Sequence, residues 1–171
     1  MDSHKRQFSL RVLAAAAACA AVPLFAQDRA SSVSTQLAVS GEVQRPLILS
    51  VTELREIGQQ KPWVQLGTYT GLRLKDLLET AGIREDAPRA LRRTYVVAIS
   101  TDGYQAVFSW GELFNTAAGN SILVAAERDG VPLRDGEGRF AMVALADDRP
   151  GPRHVKWLSR IDVRRLPEVR P

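Results

Sequence analysis

The chain has 171 residues, with 23 Lys and Arg against 19 Asp and Glu, a formal net charge of +4, one Cys and two His. So small an excess provides no nucleic-acid face, because phosphate recognition needs several clustered cations. One Cys and two His cannot assemble a His/Cys zinc cage, so ordinary structural zinc sites are excluded.

The first segment predicts export. Lys5, Arg6 and Arg11 precede an alanine-rich apolar stretch from Val12 to Phe25, and Leu24-Phe25-Ala26 before Gln27 suits signal peptidase, so residues 1–26 read as a signal peptide. The stretch is shorter than the ~20 apolar residues of a membrane helix, and no membrane span is expected. A periplasmic protein follows, exported by the Sec or the twin-arginine route, since Lys5-Arg6-Gln7-Phe8 stops one residue short of the twin-arginine pattern. Cys19 lies in this leader, and the apolar stretch continues past it, which argues against a lipidated cysteine. The mature chain therefore keeps His154 as its one histidine and has no cysteine for thiolate or disulfide chemistry.

Residues 27–35 are small and polar and read as a flexible mature N-terminus. Residues 36–164 suffice for one domain with its own core, and residues 165–171 form a basic tail. Within the domain, Ser50 with Glu53 makes a capping-box pattern opening a short helix through Ile57. Leu74, Leu77, Leu78 and Ala81 form a helical stripe closed by Gly82. Tyr95–Ser100 and Tyr104–Ser109 read as strands around Asp102-Gly103, a hairpin or a longer functional loop. Ser109 with Glu112 repeats the capping pattern. Ile122–Glu127, Phe140–Leu145 and Val155–Val163 complete the strands, with turns at Asp129-Gly130 and Gly136–Gly138. Strands dominate without strict strand–helix alternation, which predicts a mixed α+β domain.

A Gly-rich phosphate loop, a G-x-S-x-G elbow and an H-E-x-x-H helix are all absent. Asp147 and Asp148 are adjacent carboxylates in a Pro/Gly loop, where solvation is the ordinary reading and an acid/base pair would need one cavity. Arg153-His154-Val155-Lys156-Trp157-Leu158 gathers two cations, an imidazole and an indole beside a predicted strand. Such a set can hold an anionic or flat aromatic ligand; alternatively, Trp157 fills the core while Arg153 and Lys156 face water.

Gly71-Leu72-Arg73-Leu74-Lys75-Asp76-Leu77-Leu78, Thr101-Asp102-Gly103-Tyr104, Ile122 through Leu133, and Arg153 through Ile161 occur in an order that resembles the molybdopterin-binding domain of sulfite-oxidase-like oxidoreductases. The resemblance covers roughly residues 36–164, and its most specific piece is His154-Val155-Lys156-Trp157-Leu158. It implies a strand-rich α+β fold and a pterin pocket formed by His154, Val155, Lys156 and Arg153. Asp102 would accept hydrogen bonds from an aminopyrimidine edge, unless it only shapes its turn. Tyr69 and Trp110 would stack on the ligand, unless they serve the core.

Catalytic members of that family bind molybdenum through a cysteine thiolate placed before the segment corresponding to Thr68-Tyr69-Thr70-Gly71, and here there is none. Met142 stands where the family commonly puts an arginine on the cofactor phosphate, and Glu137 stands near a family histidine. These departures argue against bound molybdenum and favour a pterin or molybdopterin-like ligand held without redox catalysis. The expected role is a sensor subunit for a membrane-bound signalling protein, such as a cyclic-di-GMP enzyme. The rivals are a molybdopterin-dependent oxidoreductase with an atypical metal site and a ligand-free interaction module.

Overall fold

The computed structural model describes residues 33–168. The signal-peptide reading, the first part of the expected flexible segment and the last three residues of the basic tail lie outside that range. No described helix is long and apolar enough to cross a membrane.

Two five-stranded sheets form the domain. The first carries β1 (Leu37–Gly41), β2 (Leu47–Leu49), β5 (Thr94–Ser100), β6 (Gln105–Ser109) and β10 (Leu158–Arg165) in the order β2-β1-β10-β5-β6. Within it only β1 and β10 are parallel, so the first and last of the described strands lie side by side. The second carries β3 (Trp63–Leu66), β4 (Tyr69–Arg73), β7 (Ile122–Arg128), β8 (Val131–Pro132) and β9 (Ala141–Ala144). There β4 flanks one edge of β7, while β8 and β9 share its other edge. Among the described residues three short helices, α1 (Val51–Gln60), α2 (Leu74–Ala81) and α3 (Trp110–Asn115), interrupt the strands. The strand-rich α+β expectation holds.

Local chemistry explains the starts of α1 and α3. At α1 the Ser50 hydroxyl accepts from the Glu53 N–H at 3.3 Å while the Glu53 carboxylate accepts from the Ser50 N–H at 2.6 Å, a complete capping box. At α3 the Ser109 hydroxyl caps the Glu112 N–H at 3.0 Å, but the Glu112 carboxylate turns away to Arg153. Gly82, at φ +70°, closes α2.

Alternation along the second sheet builds two cores. Ile122, Val124, Met142 and Ala144 face the main core, which they share with Leu74, Leu77, Val96, Phe108 and Ile161. Leu123, Ala125, Ala141 and Val143 point the other way, onto Tyr69 and Leu133. Both faces of β7 and β9 are thus buried, which is why they read as unbroken apolar runs.

Two differences from the expected elements have clear causes. The strands β1 to β4 escaped the pattern because they are three to five residues long, and β4 contains Gly71. A Cβ at Gly71 would lie 2.1 Å from the Val124 carbonyl oxygen, so the residue that weakens the strand signal is the one that admits the close approach. The last strand begins at Leu158 and not at Val155. Trp157 has φ +48°, outside the strand region, and Val155 makes only an isolated bridge to Met142.

Candidate functional site

The Arg153–Trp157 segment is fastened before it meets β10. Arg153 ends a one-turn 3-10 helix, Gly151–Arg153. Its Nε donates to Asp147 at 2.7 Å, its Nη2 binds the other Asp147 oxygen, and its Nη1 donates to Glu112 at 2.5 Å. The guanidinium also sits 5.0 Å from the centroid of the Phe108 ring. Hydrogen bonds from this group to Asp147 and Glu112 raise its pKa, outweighing partial burial. Two residues on, the Val155 N–H and C=O both pair with Met142 at 2.9 Å. The Trp157 N–H donates to the Glu137 carbonyl at 2.7 Å, and its indole N–H donates to the Asp135 carbonyl at 2.7 Å. Gly138 allows that approach, since a Cβ there would lie 2.8 Å from the Trp157 Cα.

A shallow depression of about 270 Å3 opens above this segment, lined by Asp102, Tyr104, Gly151, His154, Lys156 and Trp157. Lys156 is exposed and makes no ion pair with any described residue. The Tyr104 hydroxyl donates to the Pro152 carbonyl at 2.6 Å, bracing the opposite wall. Asp102 accepts from the Ser100 hydroxyl and, at 3.0 Å, from the Tyr104 N–H. It shapes its turn while lining the depression.

His154 links this depression to a polar cluster beneath it. Its ring meets Tyr69 edge-on, with centroids 5.7 Å apart and planes at 82°. Its Nε2 is buried without a hydrogen-bond partner and lies 3.8 Å from Glu137 Oε1. The same oxygen accepts from the Tyr69 hydroxyl at 2.8 Å and from Arg128 Nη1 at 3.3 Å, and Arg128 lies 5.2 Å from the Tyr69 ring centroid. Burial, then the hydrogen bond to Glu137, pushes the Tyr69 hydroxyl up to about 12. Burial lowers the His154 pKa despite the pull of Glu137, with Lys156 and Arg128 adding to the lowering.

That shift has a measurable consequence. Below its ordinary pKa of about 6.5 the unfolded His154 binds a proton that the folded ring resists, so its stabilising contribution is complete above pH ~6.5 and falls as the solution is acidified. His154→Gln is expected to flatten the slope of stability against pH below neutrality. Urea midpoints for both proteins across that range check it; parallel curves would mean that His154 titrates normally.

The residues singled out in the sequence therefore divide. Asp102, His154 and Lys156 share the depression, and Tyr69 supports His154 from below. Val155 is wholly buried, with both main-chain groups taken by Met142, so it cannot offer them to a ligand. Arg153 faces Asp147 and Glu112 and not the depression. Trp110 stands at the start of α3, stacked on Phe114 at 5.3 Å, and is not among the lining residues. Asp147, read as solvated, is held by Arg153 with its side chain 17 % exposed. Met142 lies wholly in the core, so that position presents nothing to a phosphate. Glu137 stood out in the sequence only as a lost positive charge, yet it organises Tyr69, Arg128 and His154. Its one local signal was a carboxylate between Gly136 and Gly138 in a turn.

No cysteine thiolate stands among the described residues. The chain's single Cys is Cys19, and none stands in the stretch leading to Thr68. Among the described residues no three His, Cys, Asp or Glu are grouped to hold a metal ion. At about 270 Å3 the depression is slightly smaller than the ~300–1,000 Å3 of ordinary ligand pockets.

The model of the oxidoreductase molybdopterin binding domain family matches residues 59–170. No curated protein matches the chain. Among solved structures, the sulfane dehydrogenase SoxCD from Paracoccus pantotrophus superposes with a TM-score of 0.56 at 18% identity, covering 77% of this chain and 38% of that one. At that identity the likeness shows the fold alone, and this chain spans well under half the length of its neighbour.

Proposed function

The chain belongs to the oxidoreductase molybdopterin-binding domain family, and from that premise we propose that it binds a pterin in the His154–Lys156 depression without catalysing redox chemistry. The observation that carries this reading is the depression itself. An exposed ammonium at Lys156, a carboxylate at Asp102 and the His154 ring converge there, while the position before Thr68 offers no sulfur. Asp102 would accept from the aminopyrimidine N–H groups, as a carboxylate can from two parallel donors. Lys156 would pair with a carbonyl or an anionic substituent, and His154, whose pKa burial lowers, would present its ring. In its parent family the molybdenum cofactor supplies oxygen-atom and electron transfer; this chain's residues only bind and orient. Exported as its leader suggests, the protein would act as a sensor subunit, reporting pterin occupancy to a membrane-bound signalling protein such as a cyclic-di-GMP enzyme.

The test begins with mature protein purified from a native-like periplasm, read by mass spectrometry and fluorescence for pterin and by elemental analysis for molybdenum. Pterin without molybdenum supports the proposal. Stoichiometric molybdenum would replace it with an oxidoreductase that has an atypical metal site. Absence of both, with no rise in melting temperature on adding pterins, would leave an interaction module. His154→Ala and Lys156→Glu are each expected to weaken pterin binding at least tenfold, about 1.4 kcal/mol, with the fold retained. Unchanged affinity in both variants would put the ligand elsewhere.

A further inference from the structure

A second concave surface lies at the far end of the two strands that carry the depression. β5 and β10 run antiparallel, with Ser100 opposite Leu158 beside the depression and Thr94 opposite Arg165 at the other end. At ~3.3 Å per residue the two ends are roughly 20 Å apart. There a groove of about 540 Å3 runs between the 3-10 turn Ala90–Arg93 and the residues following β10, lined by Pro88, Arg89, Arg92, Arg93, Leu166, Pro167 and Glu168. It continues into a depression of about 470 Å3 that shares Pro88, Arg89 and Arg92 and reaches Trp110, with Glu85 on its wall.

The charges in this groove are unbalanced. Arg89 and Arg92 are exposed and pair with no carboxylate among the described residues, whereas Arg128, Arg153 and Arg165 each pair with two. Arg93 is committed to the wall, its Nη1 donating to the Leu166 carbonyl at 3.1 Å. Arg89 holds φ +60°, a left-handed backbone conformation that a residue with a side chain rarely adopts. Beside these cations Leu166 stands 55% exposed.

We propose that the groove docks an acidic segment of a protein partner, its carboxylates on Arg89 and Arg92 and an apolar side chain between Leu166 and Trp110. Guanidinium forks recognise carboxylates in two-pronged pairs, and Arg and Trp are the residues that most often dominate protein interfaces. Concavity favours a peptide segment over a membrane, since a flat lipid surface cannot enter a groove. Because the groove and the His154–Lys156 depression share no lining residue, a partner and a small ligand can be bound together, and the docking does not depend on what the depression holds.

The experiment selects a displayed random-peptide library on the purified mature protein, with Arg89→Glu/Arg92→Glu as the comparison. Both arginines are exposed, and an unchanged melting temperature confirms that the variant folds. The expected result is a consensus of acidic residues flanking an apolar one. A peptide of that consensus should bind at least tenfold more weakly to the variant, and more weakly to the wild type as salt rises. Its amide shift changes should fall on Arg89–Arg93 and Leu166 and spare His154. The proposal is overturned if no such consensus emerges, or if the variant binds the peptide equally. Binding only to phosphatidylglycerol vesicles would assign the groove to a membrane, and a concentration-dependent dimer lost in the variant would assign it to a second copy.

Discussion

Phe108→Ala is expected to lower the unfolding free energy by about 3–5 kcal/mol, the usual range for emptying a large buried aromatic position. Phe108 is fully buried on β6, facing a core shared with Val96, Leu113 and Ile161. Its neighbour Val107 is 54% exposed on the opposite face of the same strand. Val107→Ala should therefore change stability by no more than about 0.5 kcal/mol. Urea denaturation checks both, with the midpoint moving and the slope unchanged. Equal losses at the two positions would mean that the strand's faces are wrongly assigned.

The second large effect belongs to Arg153. Arg153→Ala leaves Asp147 and Glu112 facing one another at side-chain exposures of 17% and 25%, without the cation that holds both. Removing a charged hydrogen-bonding partner from groups this enclosed costs about 1–3 kcal/mol. Because Arg153 directly precedes His154, the substitution should also weaken ligand binding, although the guanidinium never faces the depression. Arg153→Lys should restore the charge and only part of the stability, since an ammonium cannot make the two-pronged contact with Asp147. The guanidinium rests on the Phe108 ring, so the losses in Phe108→Ala and Arg153→Ala should not add. Strict additivity in a double-mutant cycle would show that the ring and the cation act separately.

Some of this architecture was legible because its causes are local. The capping box at Ser50 and Glu53, the stripe from Leu74 to Ala81 closed by Gly82, and the Asp102-Gly103 turn each depend on residues within a few positions of one another. Apolar runs likewise marked β5, β7 and β9, which are buried on one or both faces. The short strands β1 to β4 left little signal, since three to five residues give too few alternations to stand out. Their pairing is long-range, as in β1 with β10.

The candidate site was legible in its residue types and not in its orientations. His154, Lys156 and Asp102 were identifiable as groups able to hold a heterocycle, and the structure brings them to one depression. Arg153 carries the same chemistry on paper but is captured by two carboxylates that lie six and forty-one positions away. Trp110 is directed by the start of α3 toward Phe114 and the arginine groove.

By itself the sequence determined the strand-rich α+β class, the local caps and turns, and the lack of a cysteine near Thr68. These follow from composition or from neighbours along the chain, so no tertiary information is needed. Tertiary structure alone decided that Glu137 joins Tyr69, Arg128 and His154, that Val155 gives its main-chain groups to Met142, and that Arg89 and Arg92 open onto Leu166 and Trp110. Each depends on which distant segments the two sheets bring together, and hydrogen bonds and ion pairs over such separations leave no periodic trace in a single sequence.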